Sequence, residues 1–396
     1  MKRSALLFGA LMVGAASGAN AQALTMQMSN GWTFGFAGNV NIFAQYQSQS
    51  KSGNTPAGLV GIGGKGFYYG TGLLPSFATF TAKGKEGNTD LGVQFGFAPQ
   101  VQCGGGNHDC FGGEFSGASI DMRQVFMTVG GSWGTILAGR ELGVYQRQNI
   151  LNDQTLFGVG GGGIAPRGTT LGRIGFGYIY PNFVAQMTYS TPAGRPGSLS
   201  IGLMDPSNVG PYTTHQIPRL EAEGSYKSGN ILVFASGTVQ NSKSAPSGGE
   251  SKTAYGAAGG ITYKTATFSV HGSGYYGRGV GTTLMFGDDG ADDTACATGV
   301  TDCPDLTKSY GFYGQLTFTP ANSKATFAGS YGSSFIKGST GSQRLENSLI
   351  SGGIYYQATK SLKVVGEGNY MWSKLKEGGF DKNKAFTGAF GLMLFY

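Results

Sequence analysis

Four cysteines stand in two pairs of equal spacing, Cys103 with Cys110 and Cys296 with Cys303, each enclosing six residues. That spacing suits two local disulfides in an oxidising compartment. It also admits a metal site in the first segment, where His108 and Asp109 lie between the thiols. Neither pair is a Cys-x-x-Cys, which weighs against zinc. Asp288, Asp289, Asp292 and Asp293 could meet a divalent ion, but the segment lacks the ligand spacing of a calcium loop and its closing Glu. The only histidines are His108, His215 and His271, and none belongs to a His-Glu-x-x-His motif. His271 shares a strand face with Ser269 and Ser273, but no third group is in place to orient a triad. Gly158 to Gly163 matches Gly-x-Gly-x-x-Gly with no helical pattern after it, so a dinucleotide site is not expected. The chemistry of hydrolysis, metal binding and cofactor binding is therefore thinly represented, and neither enzymatic activity nor a cofactor is expected.

Five arginines and a few acids are the remaining chemistry, and what they could do depends on the elements that hold them. Of 396 residues 72 are Gly, where ~7% is usual, and only 12% are charged, where ~25% is usual. Aromatic residues make up 12% of the chain, which excludes disorder of the whole. A mean hydropathy of -0.11 is too polar for a bundle of membrane helices. Lys2 and Arg3, the apolar stretch from Ala5 to Ala16, and Ala19-Asn20-Ala21 read as a secretory signal peptide, residues 1–21, with Ala23 as the second choice of cleavage site. Its removal takes two positive charges and no negative one, so the net charge of +7 falls to +5. After Ala21 no run of ~18 apolar residues remains to span a bilayer as a helix.

The dominant pattern has period two. Over 32–46, Trp32, Phe34, Phe36, Val40, Ile42 and Tyr46 share one face, and Thr33, Asn39, Asn41, Gln45 and Gln47 the other. Leu220 and Tyr226 alternate with Arg219, Glu221 and Glu223. Tyr310, Phe312, Leu316 and Phe318 alternate with Tyr313, Gln315, Thr317 and Thr319, and Leu362, Val364, Tyr370 and Trp372 with Lys363, Glu367, Asn369 and Ser373. A bilayer on one side of a sheet and water on the other require this arrangement. Sixteen such segments are expected, near 32–48, 75–84, 89–98, 119–130, 134–141, 172–181, 183–191, 216–227, 230–241, 253–264, 266–276, 308–319, 323–334, 347–358, 361–374 and 384–396. Short and long connections alternate between them. The strand-like stretch 198–204 breaks that parity and is assigned to a loop; eighteen strands is the competing count. The fold class is all-β, a transmembrane antiparallel β-barrel.

Two stretches and the ending then carry a resemblance. Arg123-Gln-Val-Phe-Met-Thr-Val-Gly-Gly-Ser-Trp-Gly-Thr-Ile-Leu-Ala-Gly-Arg140 is similar to the hairpin before the constriction loop of the trimeric general diffusion porins of Gram-negative outer membranes. Arg173-Ile-Gly-Phe-Gly-Tyr-Ile-Tyr-Pro-Asn-Phe183 resembles the Arg-led strand and Pro turn after that loop. Phe390-Gly-Leu-Met-Leu-Phe-Tyr396 resembles the terminal strand. The resemblance implies a single barrel domain over 22–396, with 142–171 folded into the lumen as the constriction loop. It implies a homotrimer among outer-membrane lipids and lipopolysaccharide, passing small hydrophilic solutes and inorganic anions and binding no nucleic acid. Arg123 and Arg173 match the family's wall arginines, and Arg140 matches the Arg that opens the loop. With Arg147 and Arg167 in the loop, they stand against Asp121, Glu141 and Asp153, an excess of positive charge that implies weak anion preference. The family's acidic loop signature is absent. A structural or adhesive barrel and an outer-membrane hydrolase are the alternatives.

Overall fold

The computed structural model describes residues 24–50, 58–61, 63–101, 120–161, 168–244, 251–286, 290–291, 305–338, 344–376 and 381–396. The four cysteines, Arg167, the acids Asp288, Asp289, Asp292 and Asp293, and the signal segment lie outside them. The first strands are β1 (Leu24–Gln27), β2 (Thr33–Gln49), β3 (Lys65–Gly70), β4 (Phe77–Glu86), β5 (Thr89–Pro99), β6 (Ile120–Gly131) and β7 (Gly134–Leu142). A long segment, 143–182, follows and carries the short helix α1 (Arg147–Asn152) and a 3-10 turn (Gln154–Phe157). Then come β8 (Phe183–Ser190), β9 (Gly197–Met204), β10 (Tyr212–Thr214), β11 (Arg219–Ser228), β12 (Ile231–Ser244), β13 (Ser251–Lys264) and β14 (Phe268–Arg278). The last are β15 (Lys308–Phe318), β16 (Ala325–Lys337), β17 (Arg344–Gln357), β18 (Leu362–Leu375) and β19 (Asn383–Phe395).

The strands pair antiparallel, and Phe395 of β19 pairs with Asn39 of β2, which closes the sheet into a sixteen-stranded barrel. Three of the nineteen segments share a stave with another. β3 and β4 both run along β2 and form one interrupted strand. β1 pairs with β2 beyond the end of β19, and β10 pairs with β12 beyond the start of β11.

The period-two pattern is realised as an apolar outside and a polar inside. Val40 is 52% exposed and Phe390 58%, while Gln45 on the inner face is 1% exposed. Adjacent tyrosines split between the faces: Tyr276 and Tyr356 point outward, and Tyr275 and Tyr355 are buried inside. No helix among the described residues is long and apolar enough to cross a membrane.

The count of sixteen stands, but one segment is exchanged for another. Residues 172–181 are no wall strand. Gly172, Gly175 and Gly177 hold positive φ of 55°, 80° and 146°, so the chain curls inside the barrel and no ladder forms. The alternation of Ile174, Phe176 and Tyr178 reflects burial in the lumen, where all three are covered. Residues 198–204, assigned to a loop, belong instead to β9, which pairs with β8 and β11. The short turn is therefore 191–196, and the inserted segment runs on from 171 to 182. Parity survives because the two exchanges compensate.

Candidate functional site in the barrel lumen

The segment 143–182 lies inside the barrel and is fixed to the inner faces of the strands along its whole described length. At its root, the carboxylate of Glu221 on β11 accepts the backbone N–H groups of Val144 and Tyr145, both at 2.9 Å. Arg219 stands 3.0 Å from the same carboxylate, and both side chains are fully covered. Two residues along the strand, Glu223 takes the Arg147 guanidinium at 2.7 Å and the Gln148 amide at 3.2 Å. Helix α1 rests on β14 and β15: Asn149 donates to Ser273 at 3.1 Å, and the Tyr313 hydroxyl donates to the Asn149 carbonyl at 2.7 Å. Gln315 holds both sides of the following corner, donating to the Asn152 carbonyl and accepting the Gln154 N–H.

The tip meets the wall at two places on the same side of the barrel. On β18, Glu367 accepts the N–H groups of Val159 at 3.1 Å and Gly160 at 2.6 Å. The same carboxylate receives the Tyr355 hydroxyl at 2.6 Å and the Asn369 amide at 2.7 Å. Three strands along, past β19 and β2, the interruption between β3 and β4 turns inward and gives its own N–H groups to the loop, Leu73 to the Gly158 carbonyl and Leu74 to the Leu156 carbonyl. Asn41 on β2 shapes this interruption. Its side chain accepts the Gly72 N–H at 2.9 Å and donates to the Leu74 carbonyl at 3.0 Å. Pro75, which has no N–H to give a ladder, sits in the same break and receives Asn39.

Asp153 is buried between α1 and the 3-10 turn, where it caps that turn through the Thr155 N–H at 2.9 Å and accepts the Tyr178 hydroxyl at 2.9 Å. Burial first, and the Asp153 charge second, push the Tyr178 phenol well above its ordinary pKa. Arg173 is fully buried, donating to the Leu349 carbonyl at 3.0 Å and to Ser330, with its guanidinium over the Tyr313 ring. An apolar cluster of Leu73, Leu156, Val159, Ile174, Tyr178 and Tyr355 fills the space between the loop and the wall. The lumen is thus narrowed by a packed insertion with its own core.

The sequence-expected residues fall in distinct places. Arg123 occupies a register slip between Gly96 and Phe97, bonds Asp121 at 2.8 Å, and turns inward toward Tyr180 and the Phe183 ring. Arg147 pairs with Glu223 as above. Arg140 lies in register with Val125 and Ala185, on the face opposite Glu141, and is exposed. Glu141 faces inward and accepts the Gln124 amide at 2.8 Å. Arg173 belongs to the insertion rather than to a wall strand, and neither it nor Asp153 reaches solvent. The residues that pin the loop, Glu367, Asn41, Tyr355 and Gln315, carry no sequence motif. The available signal was an inward-facing acid, Glu367, with Lys363, Asn369 and Ser373 as the other polar residues of its strand face.

The sequence matches the model of the Gram-negative porins over residues 8–375. No curated protein sequence matches the chain. Among solved structures, the outer membrane channel DcaP of Acinetobacter baumannii superposes with a TM-score of 0.70 at 14% identity, covering 94% of this chain and 99% of that one. An anion-selective porin from Comamonas acidovorans gives 0.62 at 12% identity, over 92% and 100%. The trimer form of OmpT, an outer membrane protein of Vibrio cholerae, gives 0.56 at 12% identity, over 92% and 100%. At these identities the likeness is one of fold.

Proposed function

The chain belongs to the Gram-negative porin family, and from that premise we propose that this outer-membrane channel is a water-filled passage for small hydrophilic solutes and ions, narrowed by the insertion 143–182 and weakly anion-preferring. The observation that carries the reading is the fastening of the insertion to the inner wall by Glu221 at its root and Glu367 at its tip. A segment held this way is a permanent constriction, and fixed charges beside a constriction set ion preference.

Among the described residues beside the insertion, charges with partial access to the lumen are Arg123, Arg147 and Glu141, with Asp121 at the rim. Their near balance supports a weak preference rather than a strong one. Passive diffusion requires no catalytic group and no cofactor. Three chains per assembly and cleavage after Ala21 complete the proposal, the first in keeping with the trimer form known for one structural neighbour.

Single-channel recording across a salt gradient tests it. Step-like conductance with a zero-current potential of anion sign is expected, in threefold multiples if the pores are grouped as trimers. Absence of conductance from a folded barrel overturns the channel reading. Conductance with clear cation preference overturns the selectivity alone.

A further inference from the structure

A recess of about 480 Å³ opens on the inner face of β4 to β7, beside the short turn that joins β4 to β5. No residue of the insertion lines it. At Gly92 of β5 no side chain fills the space, and a Cβ there would run into the Thr128 hydroxyl of β6. Lys83 of β4 lies opposite Gly92 in register, and the inward neighbours of Gly92 along β5 are Asp90 and Gln94. Diagonal neighbours in an antiparallel pair lie ~7–8 Å apart, so Lys83 faces an acid on one side and an amide on the other across that distance. Phe126 of β6, opposite Gln94, gives the recess an apolar wall.

Two groups in the recess lack partners. Lys83 makes no ion pair among the described residues, since the nearby Asp90 takes Lys85 at 3.2 Å instead. Gln94 is 3% exposed, and its Oε1 receives no hydrogen bond among the described residues. The orientation of that amide is fixed from two strands away. The Glu141 carboxylate of β7 accepts, so Gln124 of β6 turns its Nε2 toward it at 2.8 Å. Gln124 Oε1 then accepts Gln94 Nε2 at 3.0 Å, and the Gln94 oxygen is the atom left over. A buried acceptor without a donor is costly, and a donor entering the recess would relieve that cost.

We propose that this recess is a binding site for a small zwitterion with an apolar body, an α-amino acid of about the size of phenylalanine. The inference deepens the reading of the lumen as a solute passage and rests on it. The carboxylate lies on Lys83. The ammonium donates to Gln94 Oε1, with Asp90 adding attraction, and the side chain lies against Phe126. A plain anion would answer Lys83 but leave the Gln94 acceptor unpaired and meet the charge of Asp90. A plain cation would answer Gln94 and meet the charge of Lys83. A zwitterion satisfies all three groups, and the apolar wall favours one with a large side chain.

The test uses the full-length protein in lipid nanodiscs, labelled at threonine methyl groups, with the nuclear magnetic resonance signal of Thr128 followed as solutes are added. The probes are phenylalanine, glycine, 3-phenylpropionate, which lacks the ammonium, and phenethylamine, which lacks the carboxylate. Phenylalanine shifts the Thr128 signal with a Kd at least about fivefold below that of each of the other three. Lys83→Gln and Phe126→Ala each weaken phenylalanine about fivefold or more. Lys324→Gln, at an exposed lysine just before β16, leaves its Kd unchanged. Electrophoretic mobility of the unheated protein confirms folding of each variant. An unchanged Kd in folded Lys83→Gln overturns the inference, as does 3-phenylpropionate or phenethylamine bound as tightly as phenylalanine. The titration needs no current. A barrel that conducts but binds no phenylalanine therefore overturns this inference alone, and one that binds it without conducting overturns the channel reading and upholds the site.

Discussion

The Glu367 carboxylate and the Gly160 backbone N–H lie 2.6 Å apart, joining β18 to the tip of the insertion across 207 positions of sequence. With Val159, Tyr355 and Asn369 the carboxylate receives four hydrogen bonds, and it forms no ion pair among the described residues. A buried charge is tolerated when hydrogen bonds replace its hydration. The arrangement therefore fixes a loop without placing a neutralising cation beside the passage.

Replacing Glu367 with Ala removes the acceptor for two loop N–H groups. The closed position of the tip should weaken by about 2 kcal/mol, the scale of hydrogen bonds to a charged group. Single-channel recordings should show added current noise and sub-states, while the barrel still folds and keeps its heat-modifiable mobility. A quiet channel of unchanged conductance contradicts the pinning role.

Gly158→Ala tests the same fastening without touching the charge. A Cβ at Gly158 would run into the Glu367 carboxylate. That end of the side chain is ordinarily flexible, but here its four donors hold it, so it can move aside only by breaking bonds. The variant should reproduce the noise of Glu367→Ala. A channel indistinguishable from the unsubstituted one means that the carboxylate is free to shift.

The barrel was legible in the sequence because a closed sheet in a bilayer repeats one rule on every strand. Val40, Ile42 and Tyr46 outside, with Asn41, Gln45 and Gln47 inside, follow it without exception. The rule fails at 172–181, where residues alternate because they are packed inside the lumen, and at 198–204 the alternation of short and long connections argues against a strand that the period-two pattern supports. Positive φ at Gly172, Gly175 and Gly177 is a property of backbone path, which no period reveals. The pinning of the loop was illegible for a related reason. Glu367 and Gly160 meet through backbone N–H groups, which every residue but Pro carries, so sequence spacing marks neither partner.

The cysteines, which lie outside the described residues, are expected to pair locally as Cys103–Cys110 and Cys296–Cys303. Each closes a short loop, so each should contribute at most ~2–3 kcal/mol, and mainly to the loop. Peptide mapping without reduction should recover both bridges, and reduction should leave the barrel's melting nearly unchanged. Four free thiols, or a bridge from Cys103 to Cys303, contradicts the pairing.

Asp305 gives a pH-dependent prediction. Partial burial works to raise its pKa, but the Leu306 N–H at 2.8 Å and the charges of Arg278 and Lys252 outweigh that and hold the carboxyl below its usual range. A depressed carboxyl contributes stability that is complete above its ordinary pKa of about 4 and is lost as pH falls through the lower folded value. The pair is well exposed and screened, so the contribution should stay under ~1 kcal/mol. Asp305→Asn should melt slightly earlier than the unsubstituted protein at pH 7, and the gap should narrow as pH falls below about 4. A gap that does not narrow as the pH is lowered assigns the effect to packing.

Arg123 and Arg173, alike in sequence as the leading residues of their stretches, should behave differently when replaced by Gln. Arg123 has partial access to the lumen and is paired with Asp121 at 2.8 Å. Its loss leaves that acid unanswered at the passage, so the zero-current potential should move toward cation preference with little change in conductance. Arg173 is sealed from solvent, and its charge is spent on the Leu349 carbonyl, Ser330 and the Tyr313 ring. Gln is too short and too weak a donor to replace those contacts, so Arg173→Gln should loosen the returning limb of the insertion. It should raise current noise and lower thermal stability by a few kcal/mol, the scale for breaking a buried hydrogen-bonded charge. Its zero-current potential should shift less than that of Arg123→Gln. If Arg173→Gln moves that potential as far while conductance and noise stay unchanged, the Arg173 charge faces the permeating ions, and its burial against β16 and β17 is not the state that conducts.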